Sequence, residues 1–287
     1  MSERVILVRF SVIINCYNTF PLIKKCIDAA LQTIDKNSEI ILINNHPPYN
    51  EAMEFLATFK HPQVRKFDPG RNIGCMPGFQ YGAERAKGEY IVKLDDDVIV
   101  PRKDWTGAMY QALKDFPDLA YVALQPSVVK TGMNNRVKRP KYTLEFRRNT
   151  VLFWCMMIKK QLWKKHFIMT NLPLYGVGER DYERKANKLK MKKAYITSHV
   201  CTSLGRTEES DPLYGAWKLF YVKMKDQRSE FKKWKESFTF GPKEAEIMRN
   251  FGYPEKQIEE VRYLLAKNQN KSLPESDYEN RSHNKEG

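Results

Sequence analysis

The sequence offers little sulfur chemistry and no stretch long enough to leave water. Its five cysteines, Cys16, Cys26, Cys75, Cys155 and Cys201, are scattered and include no C-x-x-C pair, which excludes a zinc ribbon and a thioredoxin-type redox centre. They read as reduced core thiols and point to a cytoplasmic chain. The longest apolar run, Val151 to Ile158, falls far short of the ~20 residues that span a bilayer. The N-terminus carries Glu3 and Arg4 and no signal-peptide core. Neither G-x-G-x-x-G nor G-x-x-x-x-G-K-S/T occurs, so nicotinamide-dependent and P-loop chemistry are excluded. Zinc-finger spacing, an RNP-type strand and a basic recognition helix are missing too, which argues against a nucleic-acid partner. Acids are the scarce charge: 34 Asp and Glu against 49 Lys and Arg leave a net +15. A chain of that sign favours phosphates or an anionic membrane face.

What is present describes a folded α/β protein. The 287 residues are 42% hydrophobic and 29% charged, enough to bury a core. β-Branched runs at Phe10 to Asn15, Ser38 to Asn45, Val64 to Phe67, Tyr90 to Leu94 and Ala120 to Gln125 predict strands. Between them, Leu22, Ile23, Cys26, Ile27, Ala30 and Leu31 recur at helical spacing, and helices are also predicted near Asn50 to Phe59 and Trp105 to Phe116. This alternation implies βαβ units and a mostly parallel sheet. Ligands of such sheets sit at the carboxyl ends of the strands, where Asn15 to Asn18, Asn44-Asn45 and Asp95 to Asp97 fall. Gly70 to Gly88 reads as a Gly-rich stretch and Lys130 to Lys141 as a basic polar loop. Three parts are expected: a catalytic domain over 1–213 (halves 1–104 and 105–213), a helical extension over 214–266, and a disordered polar tail over 267–287.

Asp95, Asp96 and Asp97 follow an apolar strand directly. Adjacent carboxylates repel, and a divalent cation relieves the repulsion; oxygen ligands suit Mg2+ or Mn2+. The plainer alternative is a solvated acidic turn. The ordered set SVIINCYN, EIILINN and RNIGCMPGFQYGAERAKGEYIVKLDDD, from Ser11 to Asp97, resembles glycosyltransferase family 2. That resemblance implies a GT-A fold, Rossmann-like and with a C-terminal helical extension here. It also implies an inverting, metal-dependent transfer from a nucleotide-sugar, a UDP-sugar being favoured. Tyr17, Asn18 and Asn44 would then line base and ribose, with Arg71 and Asn72 as further donor contacts. Asp95 and Asp97 would be the two acids of the D-x-D motif, Asp97 the direct metal ligand, and Asp96 a ribose contact. Two positions depart from the family's habit. Asn15 stands where Pro is frequent, and Asn44 where Asp is frequent, which loosens the link to uracil.

Further along, the segment Tyr175 to Glu183 (YGVGERDYE) resembles the family's G-x-G-x-E-D loop, whose carboxylate deprotonates the acceptor. One register puts Asp181 in that role and a second puts Glu179 there; the first is preferred. The bland alternative is that both acids complement a helix N-terminus. His199, on the strand that follows, matches a family position for a third metal or phosphate contact. The acceptor is expected to be a glycan, a lipid-linked sugar or a protein. The alternative function is a catalytically inactive GT-A protein that binds glycan or nucleotide, motivated by Arg180, Asn15 and Asn44. Finally, Tyr214, Trp217, Tyr221, Met224, Phe231 and Trp234 alternate with lysines in a predicted helix. That pattern suits either packing on the core or peripheral contact with an anionic membrane.

Overall fold

The computed structural model describes residues 8–47, 49–102, 104–130, 132, 135–170, 178–205 and 241–250, with 255, 258, 259 and 262. The chain divides into two compact units, Met1–Gly205 and Arg206–Gly287. The predicted helix at 214–235 and the tail from 267 lie outside the described residues. In the second unit the structure describes one helix, Pro242–Asn250, inside the stretch expected to be helical.

In the first unit, β1 (Phe10–Cys16), α1 (Phe20–Leu31), β2 (Ser38–Asn44), α2 (Asn50–Thr58), β3 (Val64–Phe67), α3 (Cys75–Arg85) and β4 (Tyr90–Leu94) alternate as expected. They are followed by β5 (Val98–Ile99), α4 (Trp105–Asp115), β6 (Leu119–Pro126), β7 (Arg136–Lys138), β8 (Thr143–Phe146) and β9 (Cys155–Lys159). Then come α5 (Lys160–Leu162), which runs into a π-helical turn at Trp163–Phe167, α6 (Gly178–Lys188) and β10 (Lys192–Ser203). The strand order is β3-β2-β1-β4-β9-β6-β10-β8-β7, with β5 paired to β10.

Strands β3, β2, β1 and β4 are parallel, as the βαβ rhythm requires. The other half is mixed: β9 runs antiparallel to both neighbours, β10 is parallel to β6, and β7 and β8 form a hairpin. Only Val137 of β7 is apolar, so this edge strand hides within a run that reads as basic loop. The Gly-rich stretch is likewise partly helix. Gly78 and Gly82 form the face of α3 that lies on the sheet: a Cβ at Gly82 would sit 2.5 Å from Ile13 Cγ2, and one at Gly78 would strike the Asn15 amide. The glycines permit close approach rather than flexibility.

Side chains alternate across the sheet into two cores. Val12, Ile14, Ile40, Leu42, Val92 and Leu94 join Ile23, Ile27 and Trp105 on one face. Ile13, Ile41, Ile43, Ile91 and Met156 join Phe79, Trp163 and Tyr182 on the other. Each fully buried aliphatic side chain contributes ~1.5–3 kcal/mol, so the register of β1 is fixed: a one-residue slip would exchange the faces. Asp104 caps α4 by accepting from Gly107 N at 2.8 Å. No helix among the described residues is long and apolar enough to cross a membrane.

Candidate active site

The apolar run of β4 ends at Leu94, and the three acids turn the chain into β5: Asp95 N donates to Trp154 O at 3.0 Å, and Val98 N to Asp95 O at 3.1 Å. Each carboxylate has its own surroundings. Asp95 is ion-paired with Lys93, whose Nζ also donates to Phe153 O at 2.9 Å. Burial raises the Asp95 carboxyl, with Asp96 and Glu179 adding and Lys93 opposing. Burial works against the Lys93 charge too, but Asp95, Cys75 and Glu179 hold its ammonium above the usual lysine range.

Asp96 is buried and fastened to the loop after β1. Its Oδ2 accepts from Tyr17 N at 2.6 Å and Asn18 N at 2.8 Å, and its Oδ1 accepts from Asn18 Nδ2. Asp97 differs from both. Its Oδ2 accepts from Ser203 Oγ at 3.2 Å, and among the described residues no cation pairs with it. Burial, then Asp96 and Asp95, push its carboxyl up to about 7, against the Ser203 hydrogen bond. Ser203 arrives because the end of β10 pairs antiparallel with β5, Ser203 opposite Val98. On the same strand, within the register shift between Ile196 and Val200, His199 is buried, with Nδ1 3.0 Å from Ser198 Oγ.

A half-buried carboxylate that lacks a counter-cation and is flanked by two more acids fits a divalent ion, and an all-oxygen set suits Mg2+ or Mn2+. Among the described residues, no three His, Cys, Asp or Glu side chains form a ready-made cage. A cation held here would need further oxygens from a ligand and water.

The neighbouring strand ends are polar as well. Asn45 is buried, accepting from Ile73 N at 2.8 Å and donating to Asn72 Oδ1 at 3.0 Å. Asn72 Oδ1 also accepts from Gly74 N at 2.9 Å. Gly74, at φ 95°, starts α3 in a conformation that side chains other than glycine's disfavour. Its carbonyl accepts from Asn15 Nδ2 at 3.2 Å, so Asn15 supports the loop. Arg71 is exposed. The Asn44 amide turns toward Asp68, donating to Oδ2 at 3.0 Å, while its Oδ1 accepts from His46 N at 3.3 Å. His46 Nε2 lies 2.8 Å from Asp68 Oδ1. Burial opposes the ionised Asp68, but Gly70 N, His46 and Asn44 outweigh it and lower its carboxyl.

Residues 171–177 of the Gly-bearing loop lie outside the described residues. Gly178 opens α6 against α3: a Cβ there would be 2.7 Å from Met76 Sδ. The next residue, Glu179, thereby comes close enough for its charge to bear on Cys75, Lys93 and Asp95. Asp181 is occupied by its own helix, paired with Arg184 and, at 2.8 Å, with Lys185. Burial raises its carboxyl, but Lys185 and Arg184 prevail and lower it. Sequence reasoning passed over Lys93, His46 and Asp68. For Lys93 a signal existed, a lone cation in the apolar strand beside three acids.

Residues 11–202 match the family model described as Glycosyl transferase family 2. Over 94 residues, 32% of the chain, the sequence is 35% identical to an uncharacterized glycosyltransferase of Rickettsia conorii and 33% identical to one of Rickettsia bellii. Those matches cover 15% and 14% of the relatives, so the chain spans a small part of their length. In fold it is similar to the crystal structure of GalNAc-T7 with UDP, GalNAc and Mn2+, at a TM-score of 0.57 and 13% identity, over 93% of this chain and 58% of that one.

Proposed function

The chain belongs to glycosyltransferase family 2, and on that premise we propose that it transfers a sugar from a nucleoside diphosphate sugar to an acceptor hydroxyl, with inversion at the anomeric carbon. The observation that carries the reading is Asp97, a carboxylate flanked by two more acids and paired with no cation among the described residues, which burial and the charges of Asp96 and Asp95 push up to about 7, at the strand ends where such a sheet receives its ligand. Asp97 would hold Mn2+ or Mg2+ with oxygens of the donor and water, since Asp95 is paired with Lys93 and no three His, Cys, Asp or Glu side chains cluster among the described residues; such an ion would neutralise charge on the departing diphosphate.

The remaining work falls to the chain's own residues. Tyr17 and Asn18, locked by Asp96, form the wall for base and ribose. Asn44, Asp68 and His46 present a polar edge beside it, and Arg71 and Asn72 flank the donor. Glu179 takes the proton from the acceptor hydroxyl as its oxygen bonds to the anomeric carbon and the bond from that carbon to the diphosphate oxygen breaks. Two facts support Glu179 over Asp181: its charge reaches the donor site, and the Asp181 carboxylate is already paired with Arg184 and Lys185. The GalNAc-T7 structure holds UDP and Mn2+, which recommends UDP-sugars with manganese as first probes. The test is a panel of UDP-, GDP- and dTDP-sugars assayed for Mn2+-dependent hydrolysis and binding. A folded protein that binds and hydrolyses none of them would refute the assignment.

A further inference from the structure

Lys93 is the one charged residue of β4, buried at the end of an apolar strand beside the three acids. It shares a sheet face with Ile91, and the register sets it beside Ile13 on β1 and Met156 on β9, both core residues. Only 7% of its side chain is exposed. Burying an ammonium is costly unless it is paired and hydrogen-bonded. Here it is both, to the Asp95 carboxylate and the Phe153 carbonyl. The three acids are thus already divided: Asp95 to an internal cation, Asp96 to the backbone of the loop after β1, Asp97 to a serine hydroxyl.

Resting on the function proposed above, we propose that Lys93 makes cation binding conditional on the nucleotide. By pairing with Asp95 it withholds that carboxylate and cancels one of the triplet's negative charges. The protein alone then presents too few oxygens to a cation that wants about six. The diphosphate oxygens of the donor complete the shell, so cation and nucleotide enter together and an empty enzyme does not accumulate metal. A structural role for Lys93 would predict only losses on substitution, whereas this role predicts a gain.

The test follows free Mn2+ by its aqueous paramagnetic signal, with and without UDP, GDP or dTDP, in the full chain and in Lys93→Gln and Lys93→Met. The wild type should take up Mn2+ only with the nucleotide. Both variants should bind Mn2+ alone about tenfold or more tightly than the wild type does, the scale of a freed neighbouring charge. Lys93→Met combined with Asp95→Asn should lose that gain, and thermal unfolding identifies which variants are folded. Two results would overturn the proposal: wild-type Mn2+ affinity that is the same with and without nucleotide, or folded Lys93 variants that bind Mn2+ no better. No Mn2+-dependent nucleotide binding by any form would remove the glycosyltransferase reading itself, a separate outcome.

Discussion

Replacing Asp97 by Asn should stabilise the metal-free protein at pH 8 while abolishing its cation-dependent nucleotide binding. The carboxyl, ordinarily near 3.8, sits at about 7 because burial and the charges of Asp96 and Asp95 disfavour ionisation. A carboxyl raised in this way holds more protons in the folded state than in the unfolded one. Its contribution to stability is therefore intact below the unfolded value and is lost as pH rises from 3.8 to about 7. At ~1.4 kcal/mol per pH unit the full span approaches roughly 4 kcal/mol, an upper bound that relaxation and water entry reduce to ~1–3 kcal/mol. Asn keeps the shape and can still meet Ser203, so it removes the charge with little else. The assay is thermal unfolding in chelator at pH 5 and pH 8. The variant should melt higher at pH 8, by roughly 2–4 °C per kcal/mol, and the difference should shrink at pH 5. Mn2+ with UDP should then raise the midpoint of the wild type and leave the variant's unchanged. Equal midpoints at pH 8, or a gain independent of pH, would refute the reasoning.

Glu179→Gln should lower turnover ~10²-fold or more with donor affinity unchanged, and Asp181→Asn should do much less; steady-state kinetics showing the reverse order would return the base to Asp181. Gly82→Ala places a methyl 2.5 Å from Ile13 Cγ2 and should cost ~1–3 kcal/mol by overpacking, read as a lower urea midpoint. The aromatic and lysine pattern of the 214–235 segment predicts salt-sensitive sedimentation with anionic liposomes, lost on replacing Trp217 and Trp234 with Ser; no binding at low salt would reject it.

The strand ends of the candidate site were legible because β1, β2 and β4 are β-branched runs that stop abruptly at polar residues. Their pairing register was not legible, because the runs are buried on both faces and do not alternate. The pairing of Asp181 was legible: Arg184 and Lys185 stand three and four residues after it, the spacing at which a helix pairs opposite charges. What places Glu179 is Gly178 against Met76, a tertiary contact that no local pattern encodes. Helix α3 was hidden because its glycines serve packing on Ile13 and Asn15, and glycine's local preference points away from helix. The antiparallel insertion of β9 depends on partners distant in sequence, whereas the hairpin of β7 and β8 is local and was hidden because Val137 is the only apolar residue of β7. The Lys93 and Asp95 pair needed only local inspection, since two residues apart at a strand end can meet where the pleat is broken by the turn.

The attachment of Asp96 to Tyr17 and Asn18 has a thermodynamic corollary. Two backbone amides and one side-chain amide join the loop after β1 to the acids after β4, so the two segments are tied together. A base resting against Tyr17 and a cation at Asp97, as proposed above, would then restrict the same motion. Whichever bound first would bear the entropy of that restriction, and the second would bind to a segment already quieted. Cooperativity between the two ends of a donor molecule would then require no rearrangement of the fold, only this shared stiffness.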